Sequence, residues 1–211
     1  FVFVLDVSGS MSGRPLQVAQ DLLRDLARDL APHDRLNLVL FAGAASVLAP
    51  ESLPATEANL SRALDFMDSH GAGGGTELSS ALRSALGLPR LPGFARSLVV
   101  ITDGFIAAEA EAFRLVHDNL GDANVFAFGV GSGVNRYLIE GLARAGQGEA
   151  TVVTDGVDAG EAVRRFREYV TRPLLAELEL EARGIELVDL EPASLPGLLA
   201  SHPLVVTGRW R

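Results

Sequence analysis

Cysteine does not occur in this 211-residue chain, so neither a disulfide framework nor a zinc cluster built on thiolates is available to it. A chain of this length needs no such staples, since it can bury a full core and still spare a small appendage. Positive charge is scarce as well: 18 basic residues face 27 acidic ones, for a formal net charge of −9. Nucleic acid is thereby argued against as the main partner, because phosphate binding needs a basic patch, whereas an acidic surface suits cations. Long apolar runs are also missing. The uncharged stretch from Leu36 to Pro50 contains asparagine, serine and glycine and falls short of the roughly 20 apolar residues that cross a bilayer. No internal repeat and no low-complexity segment is found. There is no initiator methionine or signal peptide: Phe1 starts in mid-strand, and the strand-like pattern still runs at Trp210-Arg211. The chain is therefore expected to be a segment of a longer protein whose targeting signals lie outside it.

What is present is an alternation. Phe1 to Leu5, Leu36 to Phe41, Leu98 to Thr102 and Val125 to Val130 are apolar runs of strand length, as expected for strands covered on both faces. Between them lie amphipathic segments: Pro15 to Leu30, Glu57 to Met67, Thr76 to Leu86, Glu109 to Leu120, Arg136 to Ala145 and Ala159 to Tyr169. In the first, Leu16, Ala19, Leu22, Leu23, Leu26 and Leu30 keep one face apolar at helical spacing. This order predicts an α/β fold with a doubly wound, mostly parallel six-stranded sheet flanked by helices. Val47-Leu48 is expected to add a short antiparallel edge strand. After Arg172-Pro173 the period changes to two: Leu178, Leu180 and Ala182 alternate with Glu177, Glu179 and Glu181, and Arg183-Gly184 reads as a turn. Ile185, Leu187 and Leu190 continue that pattern, and Leu204 to Trp210 supplies a last strand. Residues 1–172 are thus expected to form one domain. Residues 173–211 form an antiparallel β segment, marginal alone and expected to be completed by sequence upstream of residue 1.

In an open α/β sheet, ligands bind beyond the carboxyl ends of the strands, where strand order reverses. Three polar clusters fall at that rim. "FVFVLDVSGSMSG" ends its apolar run on Asp6, with Ser8 and Ser10 following in D-x-S-x-S spacing; "GAGGGTEL" places Thr76 after three glycines; "LVVITDG" ends on Asp103. Two carboxylates and three hydroxyls from separate loops suit a hard divalent cation. Mg²⁺ takes oxygen ligands in near-octahedral geometry and usually keeps waters or an outside ligand, which a partner's Asp or Glu could supply. Each loop has a plainer reading: Thr76 before Glu77 as a helix cap, Asp103-Gly104 as a turn, and D-x-S-x-S as a chance match.

"DVSGSMSG", "GGGTEL" and "ITDG" resemble the three loops of the metal-ion-dependent adhesion site (MIDAS) of von Willebrand factor type A domains, over about residues 1–170. Within that family the chain is similar to bacterial and animal proteins of inter-alpha-trypsin-inhibitor heavy-chain architecture, in which the A domain follows a VIT domain and precedes a β segment. "NLVLFAG", "VFAFGVGSGVNRYLIEGLARAGQGEA" and "HPLVVTGRW" add to the likeness. The resemblance implies that Ser8, Ser10 and Thr76 ligate Mg²⁺ (or Mn²⁺ or Ca²⁺) through hydroxyls, with Asp6 and Asp103 bound directly or through water. It implies a protein-protein interaction or adhesion module, not an enzyme, working outside the cytoplasm. Glu77 departs from the neutral polar residue, often Asn, of many relatives. Animal heavy chains are esterified to hyaluronan through an Asp-Pro end, and no Asp-Pro dipeptide occurs here.

Other functions fit less well. A Mg²⁺-dependent phosphatase with Asp6 as nucleophile needs a second aspartate two residues on, where Ser8 stands. "GAGGGTE" lacks the lysine of a phosphate-binding loop. His33, His70, His117 and His202 read as solvated polar residues and not as members of a hydrolase triad. A scaffold that binds without metal stays open as the alternative, and the identity of the partner and the oligomeric state stay open with it.

Overall fold

The computed structural model describes residues 1–106, 108–154, 159–170, 173–175, 178–192, 195, 198–199 and 204–211. Its strands are β1 (Val2–Asp6), β2 (Arg35–Phe41), β3 (Ala45–Val47), β4 (Leu53–Pro54), β5 (Ser97–Thr102), β6 (Asn124–Val130) and β7 (Ala150–Val153). The helices are α1 (Arg14–Arg28), α2 (Glu57–Asp68), α3 (Leu78–Leu86), α4 (Glu109–Asn119), α5 (Arg136–Ala145) and α6 (Ala159–Val170). The sheet runs β3-β2-β1-β5-β6-β7, with β4 also paired to β2. The pairings β1–β2, β1–β5, β5–β6 and β6–β7 are parallel, while β3 and β4 pair antiparallel with β2.

Alternation along each strand sorts the core into two layers, as the two-residue side-chain period requires. Phe3 and Leu5 of β1, Leu38 and Leu40 of β2, and Phe126 and Phe128 of β6 face one layer with Leu22, Leu23 and Leu26 of α1 and Met67 of α2. Phe166 of α6 closes this layer, with edge-on ring contacts to Phe126 and Phe128 at centroid separations of 5.0 and 5.6 Å. Val2, Val4, Val39 and Val100 face the other layer with Leu78 and Leu82 of α3, Val116 of α4 and Leu138 and Leu142 of α5. Each such aliphatic or aromatic side chain contributes about 1.5–3 kcal/mol by leaving water. A run with no polar position is therefore the composition that a strand between two helix layers requires.

Asn37 is the polar exception inside β2, fully buried. Its amide donates to Ala49 O at 2.8 Å and its side-chain oxygen accepts from Leu38 N at 2.9 Å. It thus satisfies backbone groups where the edge strands leave the sheet. The topology fixes where a ligand can enter. From β1 the chain crosses to β2 on one side, then returns past β1 to β5 on the other, which opens a crevice at the carboxyl ends of β1 and β5.

The C-terminal segment is antiparallel, as expected, and differs from expectation in one stretch. β8 (Pro173–Leu175) pairs antiparallel with β10 (Leu198–Leu199), and β9 (Leu187–Glu191) with β11 (Thr207–Trp210). Residues 178–182, expected to be a strand, lie outside any strand. Alternation prepares two faces, but a strand exists only through a ladder, and none of the described residues pairs with this stretch. The expected boundary at Arg172 and the histidine at 202 fall outside the described residues. Among the described residues, no helix is long and apolar enough to cross a membrane.

Candidate metal centre

Asp6 ends β1 with no exposed surface, although aspartate is a residue that water normally claims. Its carboxylate is held from two directions. Ser8 N–H donates to Oδ1 at 2.8 Å, and Thr102 Oγ1–H, from the end of β5, donates to Oδ2 at 2.5 Å. Thr102 is equally buried, and its hydroxyl accepts the Gly104 N–H at 3.0 Å. A relay thus crosses the crevice from the Gly104 amide through Thr102 to Asp6. Beyond Asp6 the chain makes a 3-10 turn (Gly9–Met11), anchored by the buried Met11 and by Met11 N–H bonding Ser8 O at 3.1 Å. That turn brings the Ser8 and Ser10 hydroxyl oxygens to 3.1 Å from one another.

Asp103 follows β5 directly and is nearly buried. Its Oδ1 accepts the Phe105 N–H at 3.1 Å, and its carbonyl accepts the Asn135 N–H at 3.0 Å. Gly104, between them, has φ +86°, and a Cβ there would stand 2.9 Å from Asn135 Cβ, so the turn admits only glycine. Asn135 in turn caps α5 by accepting Leu138 N–H at 3.2 Å and donates to Glu109 Oε1 at 3.2 Å.

The glycine-rich loop is stapled to the first loop by backbone alone. Gly73 N–H donates to Val7 O at 2.9 Å, and Gly9 N–H to Gly74 O at 3.2 Å. Gly74 needs φ +82° to do so. Glu77 N–H then bonds Ala42 O at 2.8 Å, leaving the half-buried Thr76 between the two staples. The capping expectation for Thr76 does not hold. α3 starts at Leu78, Glu77 occupies the cap position without a side-chain bond, and the Thr76 hydroxyl makes no hydrogen bond with the described residues. The Glu77 side chain is exposed.

Electrostatically, burial pushes the Asp6 carboxyl above its usual 3.8. The bonds from Ser8 and Thr102 act against that shift, and the charge of Asp103 adds to it. Neither aspartate has an ion-pair partner among the described residues. Such a pair of carboxylates is unbalanced as it stands, and a dication would balance it. The donor set is hydroxyl and carboxylate oxygen, which suits hard cations. Among the described residues no three His, Cys, Asp or Glu side chains gather as a metal site would need, so any metal here depends on the hydroxyls. Adjacent ligands of an octahedron with bonds of about 2.1 Å stand about 3.0 Å apart, close to the Ser8–Ser10 separation. The residues present therefore fit such an ion.

The structure brings Asp6, Ser8 and Ser10 into direct hydrogen-bonded contact and sets Asp103 within electrostatic range of Asp6. Thr76 belongs to the same loop cluster through the backbone staples, with no direct bond to the other four. Thr102 and Asn135 were not anticipated. Thr102 does carry a sequence signal, a hydroxyl closing an otherwise aliphatic run directly before Asp103.

Comparison with known proteins identifies the family and the fold. The von Willebrand factor type A domain model matches residues 1–152. Inter-alpha-trypsin inhibitor heavy chain H4 of Homo sapiens is 29% identical over 221 residues, covering 99% of this chain and 24% of the human protein. The chain thus spans only about a quarter of the curated relatives it matches. A solved von Willebrand factor type A structure from Catenulispora acidiphila superposes with a TM-score of 0.66 at 20% identity, over 90% of this chain and 43% of that one. Proximal thread matrix protein 1 from the mussel byssus, solved with a zinc-occupied MIDAS motif, superposes at 0.58 with 18% identity, over 78% and 44%. With its mostly parallel sheet between two helix layers and the crevice between β1 and β5, this chain belongs to the von Willebrand factor type A domain family.

Proposed function

We propose that the chain is a metal-dependent interaction module, in which Asp6, Ser8, Ser10, Thr76 and Asp103 hold Mg²⁺, or Mn²⁺ or Ca²⁺ in its place, and a partner protein presents an Asp or Glu side chain. The observation that carries this is Asp6, a carboxylate without exposed surface, gripped by two donors, beside a second carboxylate and, among the described residues, without a cationic side chain paired to it. A bound divalent ion would supply a Lewis-acid position open to an outside carboxylate. The chain's own part is positional. Thr102 and Ser8 N–H fix both Asp6 oxygens, the turn at Gly9–Met11 sets the two serine hydroxyls at the spacing of adjacent ligands, and the Thr76 hydroxyl is uncommitted. The zinc-occupied motif of the mussel protein supports metal at such a site. The absence of nitrogen and sulfur donors here favours a harder ion.

The module binds and does not catalyse. Residues 1–172 form the adhesive unit, and residues 173–211 belong to a second β unit, in keeping with the exposed Leu180, Ile185, Val205 and Trp210. Its place of work is outside the cytoplasm, as for the adhesive proteins the sequence resembles.

Isothermal titration with MgCl₂ and MnCl₂, together with melting in each salt and in EDTA, tests the proposal. Binding at 100 times Kd would stabilise the fold by about 2.7 kcal/mol, or about 5–10 °C for a chain of this length, and Asp6→Ala should abolish the gain. No heat at millimolar metal and no shift in melting would overturn it in favour of a metal-independent scaffold. Turnover of an aryl phosphate would instead revive an enzyme.

A further inference from the structure

We propose that the C-terminal β segment is fastened to the α/β domain by a proton-operated clasp, in which His117 on α4 bridges Glu191 at the end of β9 and its own neighbour Asp118. His117 lies in the last turn of α4. Its Nε2 stands 2.8 Å from Glu191 Oε1, 74 residues further on, and its Nδ1 stands 3.0 Å from Asp118 Oδ1. Carboxylates only accept hydrogen bonds, and a neutral imidazole carries a single N–H. A neutral ring would satisfy one carboxylate and turn a lone pair toward the other. Only the imidazolium donates to both.

The setting favours that cation. The C-terminal turn of a helix carries a partial negative charge. The two hydrogen bonds, to Asp118 first and then Glu191, raise the ring's pKa above 6.5, opposed by a small desolvation effect. Besides His117, Asp118 and Glu191, the charged group lining the hollow beside the clasp is Arg90, from the loop before β5. Arg90 bonds Asp122 and the Leu120 carbonyl, so its charge is already engaged and leaves Glu191 to His117.

Among the described residues this is the one hydrogen bond between α4 and β9. Glu191 lies opposite Thr207 and Leu187 opposite Trp210 in the β9–β11 ladder, so whatever holds Glu191 holds both strands. The sign follows from linkage. A histidine whose pKa rises on fastening contributes its full stabilisation below 6.5, and that contribution is lost as pH rises through the fastened value. Mild acid therefore closes the clasp and mild alkali releases it. Both side chains are more than half exposed, so the fastened-to-free ratio should change about two- to fivefold.

Trp210 is the only tryptophan of the chain and reports the motion of this ladder in the intact protein. Time-resolved fluorescence anisotropy is expected to show a larger fast component at pH 8.5 than at pH 5.5. His117→Gln and Glu191→Gln should show the larger component at both pH values. In NMR titration, the His117 ring should titrate above 6.5 and shift downward in Glu191→Gln. A pH-independent anisotropy, an unchanged pH response in His117→Gln, or a His117 titration indifferent to Glu191→Gln would each overturn the clasp.

Discussion

Replacing Thr102 with valine removes one hydroxyl oxygen, substitutes a methyl group, and preserves the β-branched outline. The position has no exposed surface, so solvent cannot repair the loss. Two bonds disappear together: the donation to Asp6 Oδ2 at 2.5 Å and the acceptance from Gly104 N–H at 3.0 Å. A hydrogen bond to a charged group contributes about 1.5–3 kcal/mol, and a buried amide left without a partner costs about 1–3 kcal/mol. Their combined loss is about 2.5–6 kcal/mol. For a chain of this length, where each kcal/mol moves Tm by about 2–4 °C, Thr102→Val should melt about 5–24 °C below wild type in EDTA at pH 7. Thr102→Ser keeps both bonds and loses one methyl, about 1 kcal/mol, so it should fall by no more than about 4 °C. A carboxylate released from its positioning partner should also lose about 10- to 100-fold in Mg²⁺ affinity by titration calorimetry, while the serine variant retains it. If Thr102→Val melts within about 2 °C of wild type in EDTA, the relay through Thr102 does not hold Asp6 and the reasoning fails.

Two further substitutions bear on the same crevice. Asp6 has its pKa raised, chiefly by burial, so the metal-free fold holds its proton more tightly than the unfolded chain does. Ionising it becomes a cost that grows as pH rises from 3.8 through the folded value and stands in full above it. Asp6→Asn should therefore melt at or above wild type in EDTA at pH 7, with the difference closing toward pH 4, and fall below wild type once Mg²⁺ is added. Melting curves across that range decide it, and a variant clearly less stable than wild type in EDTA at pH 7 would count against an ionised, uncompensated Asp6. Gly104→Ala places a Cβ 2.9 Å from Asn135 Cβ at φ +86°. The left-handed backbone costs about 1–2 kcal/mol, and disturbing the Asn135 cap adds about 1 kcal/mol, so urea denaturation should show a loss of about 2–3 kcal/mol with weakened metal binding. An unaffected midpoint would mean that the turn after Asp103 is looser than its geometry indicates.

Chemistry that is local in the chain was legible in the sequence, because each cue sits beside its own consequence. The run Phe1 to Leu5 announces a strand covered on both faces, and Asp6, Ser8 and Ser10 follow within one turn of it, so their grouping needs no knowledge of the rest of the fold. The same holds for β3, whose Ala45–Val47 falls back on β2 after a short turn. Thr102 was hidden for the opposite reason. Its hydroxyl reaches Asp6 across 96 residues, and the local signal, a hydroxyl before Asp103 on a good β-former, does not name that partner. His117 is a solvated polar residue, as its sequence context suggests, but its bond to Glu191, 74 residues away, leaves no local cue. The stretch at residues 178–182 fails in the mirror image, since its alternation was legible and its ladder partner was only assumed.

Both kinds of error concern which distant segments meet, and in this fold that is decided by sheet order. Only when β5 returns past β2 to lie beside β1 does Thr102 come to face Asp6. That adjacency makes the crevice a testable unit. Thr102 and Asp6 lie in contact and should couple non-additively. Once Asp6 is Asn, no charge remains for Thr102 to stabilise, so Thr102→Val in the Asp6→Asn background should cost about 1.5–3 kcal/mol less than it does in wild type. If instead the two effects add, the residues act on stability independently, and the bond that spans the crevice is not what orders the site.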